Sequence, residues 1–283
     1  MKIAIIGGSG LYELEGFEQP REVQVETPYG ATSSPIMTGK LKGRDVMFLA
    51  RHGKGHRLLP GEIPYKANVW AMKKLGATHL LSISAVGSLR EEIAPGHMVF
   101  PDQFIDRTRL RDSTFMGEGI VGHVQFGDPV CPHVLATLGT AAKHVGAIHH
   151  QGGTYVCMEG PAFSTRAESN LYRSWGGAII GMTNLQEAKL AREAELCFGT
   201  IALSTDYDCW HETNEEVSIE AVLKVMRDNI ATAKKILIQA VGLLDEKRPC
   251  ACASAMKYAI VTARETIPES VKRNLAPIIG QYL

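Results

Sequence analysis

Short apolar runs, each broken by glycine or a small polar residue, set the rhythm of this chain. Residues 2–6 form the first run and break into Gly7, Gly8, Ser9 and Gly10. Residues 45–50 form the second and end in Arg51, His52 and Gly53, while residues 79–84 end in Ala85, Val86, Gly87 and Ser88. Runs of this length predict buried strands. Between the last two, residues 65–75 carry Val69, Met72 and Leu75 at helical spacing and stop at Gly76, which predicts an amphipathic helix. The same patterns predict strands over 96–101, 149–157 and 198–203 and a helix over 132–145. Ser164 or Thr165 is placed to cap a helix running to Trp175, with Glu168 in its early turns. Residues 218–244 repeat Ile219, Val222, Leu223, Met226, Ile230, Ala233, Leu237 and Val241, the stripe of a long helix. Residues 106–127 are polar and too long for an ordinary connection, so a functional or mobile segment is expected there.

Strands alternating with helices predict an α/β fold with a largely parallel sheet, whose ligands gather outside the carboxyl ends of the strands. Three predicted strands end in small polar groups: Ser9, then Arg51 and His52, then Ser84. Arginine holds anion oxygens in bidentate fashion, and a hydroxyl among exposed amides suits the same ligand. The glycine loop lacks dinucleotide-binding spacing. Together the three ends predict an anion site, with phosphate the obvious candidate. The strand over 198–203 leads into Ser204, Thr205, Asp206, Tyr207, Asp208, Cys209 and Trp210. In extended geometry Asp206 and Asp208 share a face, and two charges so close raise one pKa. On spacing alone, a solvated pair in a surface turn is an equal reading. Phe163 reads as core or as a surface on which a planar base stacks, and His123 as an exposed histidine in the polar segment.

Composition narrows the classes. The 283 residues suffice for one large α/β domain or two small ones. With 45% hydrophobic and 21% charged residues and a formal net charge of zero, neither disorder nor a polyanion-binding surface is expected, so nucleic acid is not an expected partner. No stretch reaches the length that spans a bilayer and the N-terminus has no targeting pattern, so a cytoplasmic protein is expected. Of six cysteines, Cys131, Cys157, Cys197 and Cys209 are scattered through apolar contexts as small buried side chains. Only Cys250 and Cys252 are paired; without a second pair or histidines beside them no metal site is expected, and redox chemistry, a local disulfide or no role stay open.

Seven stretches together resemble the purine nucleoside phosphorylase superfamily and, within it, the S-methyl-5'-thioadenosine phosphorylases. They are 7–11 (GGSGL), 50–53 (ARHG), 84–93 (SAVGSLREEI), 102–108 (DQFIDRT), 159–168 (EGPAFSTRAE), 181–183 (GMT) and 204–210 (STDYDCW), in the family's order. The resemblance implies a single-domain α/β nucleoside phosphorylase fold, with a central mixed twisted sheet flanked by helices over residues 1–245 and a C-terminal extension over 246–283. It implies phosphate binding by Ser9, Arg51, His52, Ser84, the amide of Ala85 and Thr183, with Met182 under the ribose. Phe163 and Ser164 would border the base, which Asp206 and Asp208 read, Asp206 as the catalytic proton donor. Val217, Ile219, Val222 and Leu223 would meet the methylthio group, and His123 would enter from a neighbouring subunit of a trimer or hexamer. Phosphate is then a co-substrate and no cofactor is implied. The implied reaction is phosphorolysis of S-methyl-5'-thioadenosine; the alternative is a phosphorylase of 6-oxo purine nucleosides or S-methyl-5'-thioinosine. Gln186 stands where relatives commonly have proline, and Ser9 and Ser84 stand in place of threonines. The Cys250/Cys252 pair is similar to the CxC motif of some thermophilic relatives, and residues 267–279 form an amphipathic stretch expected to cover the domain or an adjacent subunit.

Overall fold

Side-chain alternation along the central strands sorts the core into two layers. In strand β1 (Lys2–Gly7), Ala4 and Ile6 face one layer while Ile3 and Ile5 face the other. Skipping ahead in the chain, strand β4 (Arg44–Ala50) repeats this with Met47 and Leu49 against Val46 and Phe48. A strand buried on both faces reads as a continuous apolar run, which is why these two were legible. The computed structural model describes residues 1–8, 14–211 and 219–283, with backbone alone over 219–223. Ser9 and Val217 lie outside the described residues, as do the side chains of Ile219, Val222 and Leu223.

Eleven described strands form one mixed sheet. The remaining ones are β2 (Phe17–Val23), β3 (Ile36–Leu41), β5 (His79–Ser88), β6 (Met98–Phe100), β7 (Gln103–Arg107), β8 (His149–Gln151), β9 (Thr154–Met158), β10 (Gly177–Gly181) and β11 (Cys197–Tyr207). β1 runs parallel between β4 and β5, β11 runs parallel to β5, and β10 meets the far end of β5 antiparallel. One layer is covered by helices α1 (Tyr65–Lys74), α4 (Asn184–Glu193) and α6 (Glu269–Ile279), the other by α2 (Pro132–His144) and α5 (Ile219–Leu243). The remaining helix, α3 (Arg166–Ser174), starts at Thr165, whose hydroxyl accepts from the Glu168 amide in a capping box.

The structure departs from the sequence pattern in several places. β5 does not end at Ser84 but continues through Gly87 to Ser88. Residues 149–157 divide into β8 and β9 at Gly152 and Gly153, and the halves pair with different neighbours. β2 went unread because it is a polar edge strand containing Pro20, which an edge tolerates. α4 went unread because Gln186, Glu187 and Glu193 interrupt its buried face. Residues 106–127 are anchored rather than loose: Phe115 and Ile120 join the core, Glu193 accepts from the Phe115 amide at 2.6 Å, and the His123 amide donates to Ala259 at 2.8 Å. α6 covers this same chain, burying Val271, Leu275, Ile278 and Ile279, with Trp70 of α1 donating to the Asn274 carbonyl at 2.7 Å. Glu195 fixes the same segment by accepting from the Met256 amide, Gln281 and Tyr282 at 2.7–3.0 Å.

Candidate active site

β5 carries both halves of the site. At its pairing with β11, Gly87 lies opposite Asp206, and the ladder holds one extra β11 residue between Ser204 and Asp206. This bulge has a consequence for direction: without it Thr205 would pair with Gly87 and Asp206 with Ser88, on the opposite face. A Cβ at Gly87 would stand 3.2 Å from Asp206 Oδ1 and 3.5 Å from Asp208 Cβ, so both acids flank the one residue that has no side chain. Ala85, two residues earlier on the same face, is exposed although its neighbours Ser84 and Val86 are buried. The backbone beside the acids is therefore open to solvent at Ala85.

Their environments differ. Asp206 accepts from Thr205 Oγ1 at 2.6 Å, and its pKa is raised above the ordinary carboxylate value, chiefly by burial, with the Asp208 charge adding to it. Spacing alone points to the neighbouring charge as the cause; burial outweighs it. Asp208 is buried and, among the described residues, its Oδ2 has no hydrogen-bond partner. Trp210 locks the following turn by donating to the Ser88 carbonyl at 2.8 Å and lying under Arg173 at 3.3 Å. Cys209 is exposed, not the buried side chain expected, and its Sγ donates to the Ser164 carbonyl at 3.3 Å, joining Ser164 to the acid turn. Phe163 is 82% exposed, so it is not core.

The residues expected to hold an anion gather where β1, β4, β5 and the N-terminus of α4 meet. The Arg51 amide donates to the Gly7 carbonyl at 2.9 Å, which places Arg51 beside the end of β1. Its buried guanidinium is gripped by Glu187, with Nε to Oε1 at 2.5 Å and Nη2 to Oε2 at 3.0 Å, and also donates to the Ile83 carbonyl and Ser82 Oγ. Burial alone would lower its pKa, but Glu187 outweighs this and the net shift is upward. Four of five N–H donors are thus committed, which the sequence did not reveal. Ser82 also donates to Glu187 and accepts from Asn184, extending the network to Thr200. Among the described residues Ser84 Oγ is buried without a partner, and Thr183 is buried at the start of α4 without capping it through its side chain. His52 Nδ1 donates to the Leu58 carbonyl at 2.8 Å and the ring stacks on His56; burial, with Arg51 and His56, pulls its pKa down to about 4. It is neutral near pH 7, with Nε2 left as an acceptor.

Met182 follows β10, which pairs with β5 at Gly87, and so stands between the two halves. Missed by the sequence reading, Arg111 ties this region together: it donates to Glu159 Oε1 at 2.9 Å, to Gln186 and Tyr65, and to the carbonyls of Met182 and Glu159. Gln186 also donates to Thr108 at 2.8 Å, so the residue replacing proline is a buried connector. His123 is exposed and is not joined to the acid pair within this chain.

The family model described as "Phosphorylase superfamily" matches residues 2–242. The chain belongs to the phosphorylase superfamily. This phosphorylase is 58% identical over 282 residues to S-methyl-5'-thioadenosine phosphorylase of Geobacter sulfurreducens, covering 99% of each chain. It is 53% identical over 281 residues to the protein of that name from Koribacter versatilis, covering 99% of this chain and 96% of the other. A methylthioadenosine phosphorylase from an antarctic soil metagenomic library superposes with a TM-score of 0.94 at 47% identity, with 98% of each chain covered. The methylthioadenosine phosphorylase of Schistosoma mansoni in complex with adenine gives 0.81 at 33% identity, covering 99% of this chain and 98% of the other.

Cys250 and Cys252 do not lack a second pair: Cys131 and Cys197 converge on them, far from the acid pair along β11.

Proposed function

We propose that this phosphorylase cleaves S-methyl-5'-thioadenosine with phosphate, giving adenine and 5-methylthioribose 1-phosphate. The observation that carries the reading is that β5 holds Ser84 and the exposed Ala85 shortly before Gly87, which Asp206 and Asp208 flank from the end of β11. Ser84 and Gly87 stand three positions apart on the strand, roughly 10 Å, room for a sugar between an anion and a base. Phosphate would be held by Ser9, Ser84, the Ala85 amide and Thr183, by the remaining N–H and the charge of Arg51, and by His52, whose Nε2 suits a protonated phosphate oxygen. Met182 would lie under the ribose and Phe163 and Ser164 beside the base. Attack at C1' builds positive charge on the sugar and negative charge on the purine. Fixed phosphate serves the first by orientation and charge, and Asp206 serves the second by giving its proton to N7.

Asp208 Oδ2 would accept from the 6-amino group. A 6-oxo purine places an acceptor there, at a penalty of roughly 1–3 kcal/mol. Asp208→Asn is therefore expected to shift the ratio of kcat/KM for methylthioadenosine over methylthioinosine toward the 6-oxo substrate, about 5–100-fold; an unchanged ratio would show that Asp208 does not read position 6. Val217, Ile219, Val222 and Leu223 would form the methylthio pocket, and His123 would complete it from a neighbouring subunit, which makes the active form a trimer or a hexamer. No cofactor is required, and a cytoplasmic setting fits a salvage enzyme. Among the described residues no helix is long and apolar enough to cross a membrane.

Phosphate-dependent release of adenine from methylthioadenosine, compared with hypoxanthine from inosine and methylthioinosine, tests the proposal. A clear preference for the 6-oxo substrates would replace it with the alternative activity. Release independent of phosphate would make the chain a hydrolase.

A further inference from the structure

Four cysteines distant in sequence meet at the end of the sheet opposite the acid pair. Cys131 is the residue before α2, Cys197 opens β11, and Cys250 and Cys252 belong to the segment after α5. Their sulfur atoms all lie within 4.8 Å of one another, and those of Cys197 and Cys250 are 3.4 Å apart. Cys131, Cys197 and Cys252 are buried and Cys250 is half-buried. A zinc ion bound by four thiolates at about 2.3 Å sets its sulfurs about 3.8 Å apart, a spacing of this size. Two disulfides would instead divide the four into pairs with sulfurs about 2.05 Å apart.

The surroundings suit thiolates. Arg248 Nε donates to Cys197 Sγ at 3.3 Å, and its Nη2 is fixed by the Glu195 carbonyl at 2.5 Å. Cys131 is the N-cap residue of α2 and so stands at the positive end of that helix. A four-thiolate zinc centre carries two negative charges, and a guanidinium plus a helix N-terminus offset them in the manner of outer-shell partners. Both cysteines of the C-terminal segment enter the cluster, beside the Glu195 contacts that hold the same segment. Cys197 and Asp206 stand nine positions apart on β11, roughly 30 Å.

We propose that these four cysteines form a closed structural Zn²⁺ site that fastens the C-terminal segment to the start of β11 and the cap of α2. Binding converts four thiols and one Zn²⁺ into a tetrathiolate centre and releases four protons, with no change of oxidation state. With four protein ligands no coordination position stays open for catalysis.

The test uses the full chain, expressed with zinc in the medium and purified with reductant and without chelator. Elemental analysis is expected to find about one zinc per chain, and a thiol reagent is expected to spare these four cysteines until a chelator removes the metal. Removal is expected to lower Tm by at least about 5 °C, and re-adding Zn²⁺ to the reduced apoprotein to restore it. Cys252→Ser, or Cys250→Ser if the first does not fold, is expected to lose stoichiometric zinc. The proposal is overturned if the reduced chain neither carries zinc nor gains Tm from it, or if intact mass shows these cysteines as disulfides that persist in the presence of zinc. One iron per chain in place of zinc would overturn the metal assignment.

Discussion

Replacing Asp206 with alanine is expected to lower kcat for methylthioadenosine by about 10²–10⁴-fold, the usual range for loss of a general acid. KM should change far less, because the proton moves only as the glycosidic bond breaks. Asp206→Asn separates the two contributions: it keeps a hydrogen-bond donor for N7 but has no proton to transfer, so its rate measures donation alone. Burial, helped by the Asp208 charge, raises the Asp206 pKa, and the raised value fixes the sign of the pH dependence. The active form is protonated, so kcat falls as pH rises through the pKa of the complex. Folding shows the same sign, since the native chain holds this proton more tightly than the unfolded one. The stability gained is complete below the ordinary carboxyl value and is lost as pH rises through the folded pKa. Above that pH an ionised, largely buried Asp206 is a penalty that asparagine removes. The Tm of the asparagine variant relative to the native chain is therefore expected to rise with pH. A kcat within a few-fold of native for Asp206→Ala would remove Asp206 from the mechanism.

Glu187→Gln is expected to destabilise the fold by about 3–5 kcal/mol, because it leaves the buried Arg51 guanidinium without its countercharge. At roughly 2–4 °C per kcal/mol for a large domain, Tm would drop by about 6–20 °C. The bidentate grip of Glu187, at 2.5 and 3.0 Å, accounts for the size of the effect. Removing both charges as Arg51→Met with Glu187→Met is expected to restore part of the loss, since a matched apolar pair leaves no uncompensated ion. Phosphate bound at Arg51, as proposed, would supply the missing negative charge. It is therefore expected to raise the Tm of Glu187→Gln more than that of the native chain, as measured by thermal unfolding across a phosphate titration. Native-like stability of Glu187→Gln would show that Arg51 does not depend on this carboxylate.

The two effects arise from groups with different histories in the sequence. Asp206 was visible because a carboxylate pair follows an apolar strand. Glu187 was not, because a glutamate in a helix reads as a solvated charge until its burial is known. Arg111 was hidden for the same reason: its side chain is almost wholly enclosed by carbonyls and side chains drawn from separate segments. Each depends on contacts between residues far apart in the chain, and local spacing carries no record of them.

By itself the sequence determined the alternation of buried strands and amphipathic helices, because a period of two or a continuous apolar run follows directly from which faces are buried. It also showed polar residues at or near the ends of the central strands, Arg51 after β4 and Asp206 near the end of β11, although β5 runs on past Ser84 to Ser88. Tertiary structure alone decided how those groups are aimed. The extra β11 residue turns Asp206 toward Gly87, the absence of a side chain there leaves room for both acids, and Glu187 pairs with the buried charge of Arg51. It alone brought Cys131 and Cys197 to Cys250 and Cys252. The physical reason is common to all four: strand register and helix packing are set by summed core contacts, and a side chain's chemistry follows from the partners which that packing delivers.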